Sequence, residues 1–283
     1  QLNAPLKQFI SFVQSMQDAH ISLERMGEIY NKEDEIPLNS DKIEKIPPVG
    51  EIVFKDVSFQ YGGAESEKVL DKVNFTIKPG KINALVGTSG SGKTTILKLL
   101  LGYYSPQEGE ILLAGKKLDA YNISSWREKC GAVMQESYVF SDTIENNINL
   151  KEEEIDFRRL QYASHVANIE SFIKSQPEGY KTQIGMEGKG ISAGQRQRIL
   201  IARAIYKNPQ YVFLDEATNS LDSNNEKVIL ERLQTFFKNR TVFVVAHRLS
   251  TVKNAEIGTH SSLTKKKGLY YRLIKNQLEL NVL

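Results

Sequence analysis

Residues 82–95 read Ile82-Asn83-Ala84-Leu85-Val86-Gly87-Thr88-Ser89-Gly90-Ser91-Gly92-Lys93-Thr94-Thr95, and this stretch decides the fold. A short apolar run ends in a glycine, four further residues, then glycine, lysine and threonine, and Thr94 to Leu101 continues as a helix-forming segment. Strand, glycine-rich loop and helix in that order form a phosphate-binding loop. The glycines let backbone N–H groups converge on phosphate oxygens, the helix adds its N-terminal dipole, and the lysine adds a point charge. Gly87, Thr88, Ser89, Gly90, Ser91, Gly92, Lys93, Thr94 and Thr95 are therefore candidate nucleotide-binding residues, with Lys93 aimed at the β and γ oxygens and the Thr94 hydroxyl at magnesium. A glycine-rich surface turn is the plain alternative, and the strand before it and the helix after it argue against that.

Bulk composition narrows the setting. The chain has 283 residues, 40% hydrophobic and 25% charged, which suits an ordinary globular protein able to bury a substantial core. A net charge of +3 offers no concentrated basic field, so a nucleic-acid partner is not expected, and the run Lys265 to Lys267 reads as a solvated loop. Cys130 is the single cysteine, which excludes an internal disulfide framework and fits a reducing compartment with the residue in the core. The first residues show no basic region followed by an apolar stretch, and no apolar run approaches the roughly 18 residues of a spanning helix. The chain as it stands is expected to be soluble.

Outward from the loop, Leu6, Phe9, Ile10, Val13, Met16, Leu23 and Met26 recur at three- and four-residue steps and predict an amphipathic helix over residues 1–30 that should pack on something. Residues 31–49, charged and carrying Pro37, Pro47 and Pro48, read as a linker to a domain over residues 50–283. Glu51 to Phe54 and Val73 to Ile77 read as strands of an antiparallel sheet, and residues 143–172 are helix-biased. Tyr211 to Leu214 and Thr241 to Val245 are continuous apolar runs of the kind found in buried parallel strands.

A nucleotide hydrolase needs a carboxylate near its metal, and the Tyr211 run ends in Asp215-Glu216. Asp215, at the strand end, would hold magnesium, and Glu216 would polarise the attacking water. An acidic pair after a strand is common and weak alone. Between loop and acids lies Ile191-Ser192-Ala193-Gly194-Gln195-Arg196-Gln197-Arg198, which opens a helix through Tyr206 with small residues at an N-terminus where an anion can bind.

That string resembles the signature motif of the ABC (ATP-binding cassette) ATPases, and its order between phosphate loop and acids is that of the family. The resemblance implies an α/β fold: a P-loop NTPase core with an N-terminal antiparallel β subdomain and an α-helical subdomain over about residues 136–191. It implies ATP and magnesium as ligands. It makes Tyr61 the aromatic that stacks on adenine, Gln135 the residue of a loop reaching both magnesium and the attacking water, Ser220-Leu221-Asp222 a further nucleotide-side loop, and His247 a donor to the γ-phosphate. Lys93, Gln135, Glu216 and His247 are thus the candidate catalytic residues, and Thr94, Gln135 and Asp215 the candidate metal ligands. Alone, Tyr61 would be a sheet residue, His247 a core histidine and Gln135 a loop amide; their order around the strong motifs reverses those odds. Two cassettes of the family sandwich two ATP molecules, so Ser192, Gly194 and Gln195 of a second copy are expected over the phosphate held by Lys93.

Within the family, one cassette with a modest helical insert speaks for transport; a soluble ATPase clamping DNA or a protein complex is the other reading. Residues 1–30, with Ser22-Leu23-Glu24-Arg25-Met26, resemble the cytoplasmic extension of an exporter's last membrane helix, and together with the tail Gly268-Leu269-Tyr270-Tyr271-Arg272-Leu273 are similar to bacterial peptide, bacteriocin and toxin exporters. This implies a transmembrane domain as partner and a place at the cytoplasmic face of the bacterial inner membrane. Asn31-Lys32-Glu33-Asp34 matches a guanine-reading pattern but precedes the loop in a charged stretch, and Tyr61 favours adenine. Ile191 and Ala193 stand where the family commonly has leucine and glycine, changes that keep Ser192 and Gly194. After Ala255 the sequence runs straight into Glu256-Ile257-Gly258-Thr259-His260 where the family has two short strands, which reads as a join across residues the sequence does not include, with a true deletion of that hairpin as the alternative. If hydrolysis requires two copies, turnover in a dilution series should rise faster than linearly with protein concentration, and strict proportionality would count against the sandwich.

Overall fold

A computed structural model describes residues 3–30, 41–62, 66–86, 90–150, 154–185, 190–215, 217, 221, 223–246 and 256–259. The chain divides into two units, Gln1–Asp41 and Lys42–Leu283. In the first, one helix, α1 (Asn3–Tyr30), follows the predicted three- and four-residue spacing. Its apolar positions Leu6, Phe9, Ile10, Met16 and Leu23 are exposed. Among the described residues no helix is long and apolar enough to cross a membrane.

The second unit begins with residues read as linker that nonetheless lie on the domain. Ile43 bridges to Tyr121, Ile46 is buried, and the Tyr211 hydroxyl donates to the Pro47 carbonyl at 2.9 Å. Then come β1 (Ile52–Phe59) and β2 (Leu70–Ile77), which with β4 (Glu108–Leu113) and β5 (Lys116–Lys117) form an antiparallel sheet in the order β2-β1-β4-β5. This is the predicted N-terminal sheet, with both strands longer than predicted: β1 continues past exposed Lys55 and Asp56 to buried Val57, Ser58 and Phe59, and β2 starts earlier, at buried Leu70.

A second sheet of five strands has the order β6-β7-β8-β3-β9, built from β3 (Ile82–Val86), β6 (Cys130–Val133), β7 (Tyr211–Asp215), β8 (Thr241–Ala246) and β9 (Glu256–Thr259). β6, β7, β8 and β3 run parallel, and β9 pairs antiparallel with β3. A strand does therefore follow Ala255, and it covers the edge of β3 that its absence would leave open. Residues 247–255 and 260–283, with the lysine run and the tail motif, lie outside the described residues, as do residues 31–40.

β7 explains why its run is apolar without alternation. Tyr211 and Phe213 pack with Trp126, Leu97 and Phe54 in one core, and Val212 and Leu214 pack with Ile199, Ile229 and Phe236 in another. A strand buried on both faces has no polar phase. The first core joins α2 (Lys93–Leu100) and α3 (Ile123–Lys129) to the antiparallel sheet; the second holds α4 (Ile144–Asn149), α5 (Phe157–Val166), α6 (Glu170–Ser175), α7 (Ala193–Tyr206) and α8 (Ser223–Phe236). Cys130 is buried as expected, and desolvation pushes its thiol well above the usual range.

One glycine fixes how the first sheet bends. The β1–β4 register shifts between Lys55 and Ser58, where Asp56 has φ 47, and Gly109 on β4 faces this bulge with φ 78. A Cβ on Gly109 would lie 2.3 Å from the carbonyl oxygens of Lys55 and Asp56, both rigid backbone atoms. Gly109→Ala is expected to cost about 1–3 kcal/mol of stability, read as a fall in the urea midpoint at unchanged m-value; a change below about 0.5 kcal/mol would show that the bulge yields freely.

Candidate functional site

Because β3, β6, β7 and β8 are parallel and in register, Val86 lies beside Ala246, Asp215 beside Val245 and Val133 beside Leu214. All four strands deliver their C-terminal ends to one edge, where an open α/β sheet takes its ligand. The phosphate loop leaves β3 there. Gln135 follows two residues after β6, exposed, and Asp215 closes β7. Ala246 ends β8 at the same edge, and the next residue, His247, lies outside the described residues, as do Gly87, Thr88, Ser89, Glu216, Ser220 and Asp222.

Gly90 and Gly92 have φ 79 and 82, the left-handed region that spares glycine a side-chain clash, and a Cβ on Gly92 would approach Leu70 to 2.6 Å. Gly92 is also the residue before α2, so the loop turns directly into the helix. Lys93, the first residue of α2, is buried, and its ammonium donates to the Ser91 hydroxyl at 3.3 Å. The Thr94 hydroxyl donates to Oδ2 of Asp215 at 2.7 Å, joining the loop to an acid 121 residues later; Asp215 is only 1% exposed. The next hydroxyl, that of buried Thr95, lies 3.0 Å from the hydroxyl of Tyr61. Tyr61 is 38% exposed and meets Phe59 and Tyr104 edge-on, with centroids 4.9 and 5.4 Å away.

A hydroxyl and a carboxylate at one loop suit a hard cation that also takes phosphate oxygens. Among the described residues no cluster of three or more His, Cys, Asp or Glu exists that would hold a metal by protein ligands alone. The Thr94 hydroxyl and the Asp215 carboxylate are hard oxygen donors, a set that fits a magnesium ion taking its other oxygens from a nucleotide.

Ser192 caps α7. Its hydroxyl accepts from the Gln195 N–H at 3.1 Å, and the Gln195 side-chain oxygen accepts from the Ser192 N–H at 2.8 Å, a reciprocal capping box. Ser192 itself is exposed and Gly194 half-buried, so the helix start is accessible. Gln195, expected beside the nucleotide, thus also builds the cap.

Three features had no signal in the motifs. Gln107 donates to and accepts from the backbone of Gln60, next to Tyr61. Gln197 donates to the Ala217 carbonyl at 2.9 Å, tying α7 to the chain just past the acids. Arg203, near the end of α7, donates to the carbonyls of Asn147 and Tyr138, both at 2.7 Å, and lies over the Phe140 ring; burial pushes its guanidinium down to about 10. Such pairs are polar residues far apart in sequence, invisible to periodicity.

The loop, the acid-ended strand and the parallel sheet define a P-loop nucleotide-binding protein of the α/β class. A family profile described as "ABC transporter" matches residues 70–219. The chain belongs to the ABC transporter family and has its ATP-binding fold. It is 38% identical over 295 positions to the Toxin RTX-III translocation ATP-binding protein of Actinobacillus pleuropneumoniae, covering 99% of this chain and 41% of that protein. The ATP-dependent lipid A-core flippase of Saccharophagus degradans is 41% identical over 251 residues, 84% of this chain and 42% of that one. A solved structure of a bacterial Atm1-family ABC exporter with ATP bound superposes with a TM-score of 0.80 at 31% identity, over 94% of this chain and 48% of the other. The chain thus spans about two-fifths of the length of these two curated relatives. The toxin-protein alignment is longer than the 283 residues of the chain, so that relative carries residues this one lacks.

Because the Ser192 hydroxyl supplies one of the two bonds of this capping box, Ser192→Ala should lower stability by about 0.5–2 kcal/mol, read by urea unfolding, and Ser192→Asn should recover most of the loss. Equal stability of all three proteins would remove the cap from the account.

Proposed function

We propose that this chain is the ATP-hydrolysing domain of an exporter, attached in the whole protein to a membrane domain, standing at the cytoplasmic face of the membrane and working as a pair of copies. The hydrogen bond between Thr94 and Asp215 carries the reading, since it unites the phosphate loop with the acid-ended strand at the ligand edge of the sheet. Cargo of protein or peptide type is supported by the toxin-translocation relative, whose match runs through α1, whereas the match to the lipid flippase covers less of the chain. The clamp on DNA or on a protein complex has nothing in its favour among these relatives.

In this reading the loop N–H groups of Gly87 to Thr95 and the Lys93 ammonium hold the β and γ oxygens, and the α2 dipole adds to their field. Magnesium, when bound with the nucleotide, neutralises phosphate charge, and Thr94, Asp215 and Gln135 would hold it. Tyr61 stacks on adenine. Glu216 orients the attacking water and accepts its proton, and His247 donates to the γ-phosphate as charge gathers there. Ser192 and Gly194 of the second copy, with Gln195 behind them and Asp222 along the seam, close the site from the other side. Such catalysis is mostly positioning and charge stabilisation.

Replacing the water-orienting group while keeping its shape separates binding from chemistry. Glu216→Gln should bind ATP and pair at least as well as the parent while turnover falls at least about a hundredfold. Near-normal turnover would remove Glu216 from its role, and loss of ATP binding would place it in the binding site instead.

A further inference from the structure

β1 and β4 are hydrogen-bonded as far as the Gln107 N–H, which donates to the Ser58 carbonyl at 3.1 Å. Beyond that bond the Gln107 side chain continues the pairing to the next residues of the chain after β1. Its amide oxygen accepts from the Gln60 N–H at 3.1 Å and its amide nitrogen donates to the Gln60 carbonyl at 2.9 Å. A primary amide presents the same donor and acceptor as a peptide group, so this clamp fixes both backbone groups of Gln60.

The residue so fixed stands immediately before Tyr61. Beyond it, the Ser66 hydroxyl donates to the Tyr61 carbonyl at 2.5 Å, and the Tyr61 hydroxyl meets Thr95 at 3.0 Å. The ring is further fenced edge-on by Phe59 and Tyr104, while the Lys98 ammonium lies 5.8 Å from its centroid. An aromatic two residues past the end of a strand would otherwise sample many orientations, and a stacking partner that must first be ordered binds more weakly.

We propose that Gln107, which belongs to no nucleotide motif, is a positioning residue that sets the Tyr61 ring for the nucleotide base by clamping the backbone of Gln60. The inference rests on the reading of Tyr61 as the base-stacking residue. Gln107 acts on affinity through the Tyr61 ring.

The test compares ATP with inorganic tripolyphosphate, which has no base, by titration calorimetry on the 283-residue chain. Gln107→Ala should weaken ATP about three- to tenfold and leave tripolyphosphate unchanged. Gln107→Glu, which keeps the acceptor but sets a second oxygen against the Gln60 carbonyl, should weaken ATP likewise. In a Tyr61→Ala background, Gln107→Ala should add nothing, since both act through one ring. Equal weakening of ATP and tripolyphosphate would mark general damage and overturn the proposal. So would a normal ATP affinity in Gln107→Ala where Tyr61→Ala has lost it. A normal ATP affinity in Tyr61→Ala itself would instead sink the base-stacking reading from which the proposal starts.

Discussion

The hydrogen bond from Thr94 to Asp215 is the constraint on which the remaining architecture depends. Both partners belong to the nucleotide edge, yet they sit on different strand–helix units and only a fixed sheet order can bring them within 2.7 Å. Asp215 is almost fully buried, so its charge needs donors, and a hydrogen bond to a charged group contributes about 1.5–3 kcal/mol. Removing that donor would take one hydrogen bond from a buried carboxylate. The cost of holding it there is offset by the two cores that flank β7.

Those cores also explain the division of labour in the domain. Residues of alternate parity along β7 belong to different clusters, one shared with the antiparallel sheet and α2, the other with α4 to α8. The phosphate loop is thereby braced by one core and the helix carrying Ser192 by the other, with β7 as the common wall. Displacing either layer would act on Asp215 at the strand's end.

Much of this was legible in the sequence because the signals are local. The loop, the apolar runs of β3, β7 and β8, and the start of α7 each lie within a dozen residues, where spacing and capping chemistry speak directly. The helix-biased stretch over residues 143–172 was only partly legible. It divides into three short helices because Leu150 and Asn168 take left-handed φ values of 54 and 53, and Asp156 opens the middle helix by accepting from the N–H groups of Arg158 and Arg159. Leucine at a left-handed position has no sequence signature; the fold imposes it. The lie of residues 42–49 against Tyr121 and Tyr211 was equally hidden, since a proline-bearing charged stretch reads as linker whether or not a tyrosine hydroxyl holds its carbonyl. Gln107, Gln197 and Arg203 make contacts 20 to 65 residues away, and no periodicity reports such pairs.

The last two of these contacts bear on how the parts move together. α7 has 14 residues, about 21 Å of helix, with Ser192 capping its start and Arg203 three residues before its end. Arg203 binds the carbonyls of Tyr138 and Asn147 and faces Phe140, so the segment that follows Gln135 is fastened to the far part of this helix. Gln197, one turn in from the cap, holds the Ala217 carbonyl beyond Asp215. A hydrogen-bonded helix is a rigid element, and it links Ser192 mechanically to Arg203. On the reading that Ser192 closes on a second copy's phosphate, the Gln135 segment, with its exposed Tyr138 and Phe140, travels with that closure, because the alternative is to leave a half-buried guanidinium without its carbonyl acceptors.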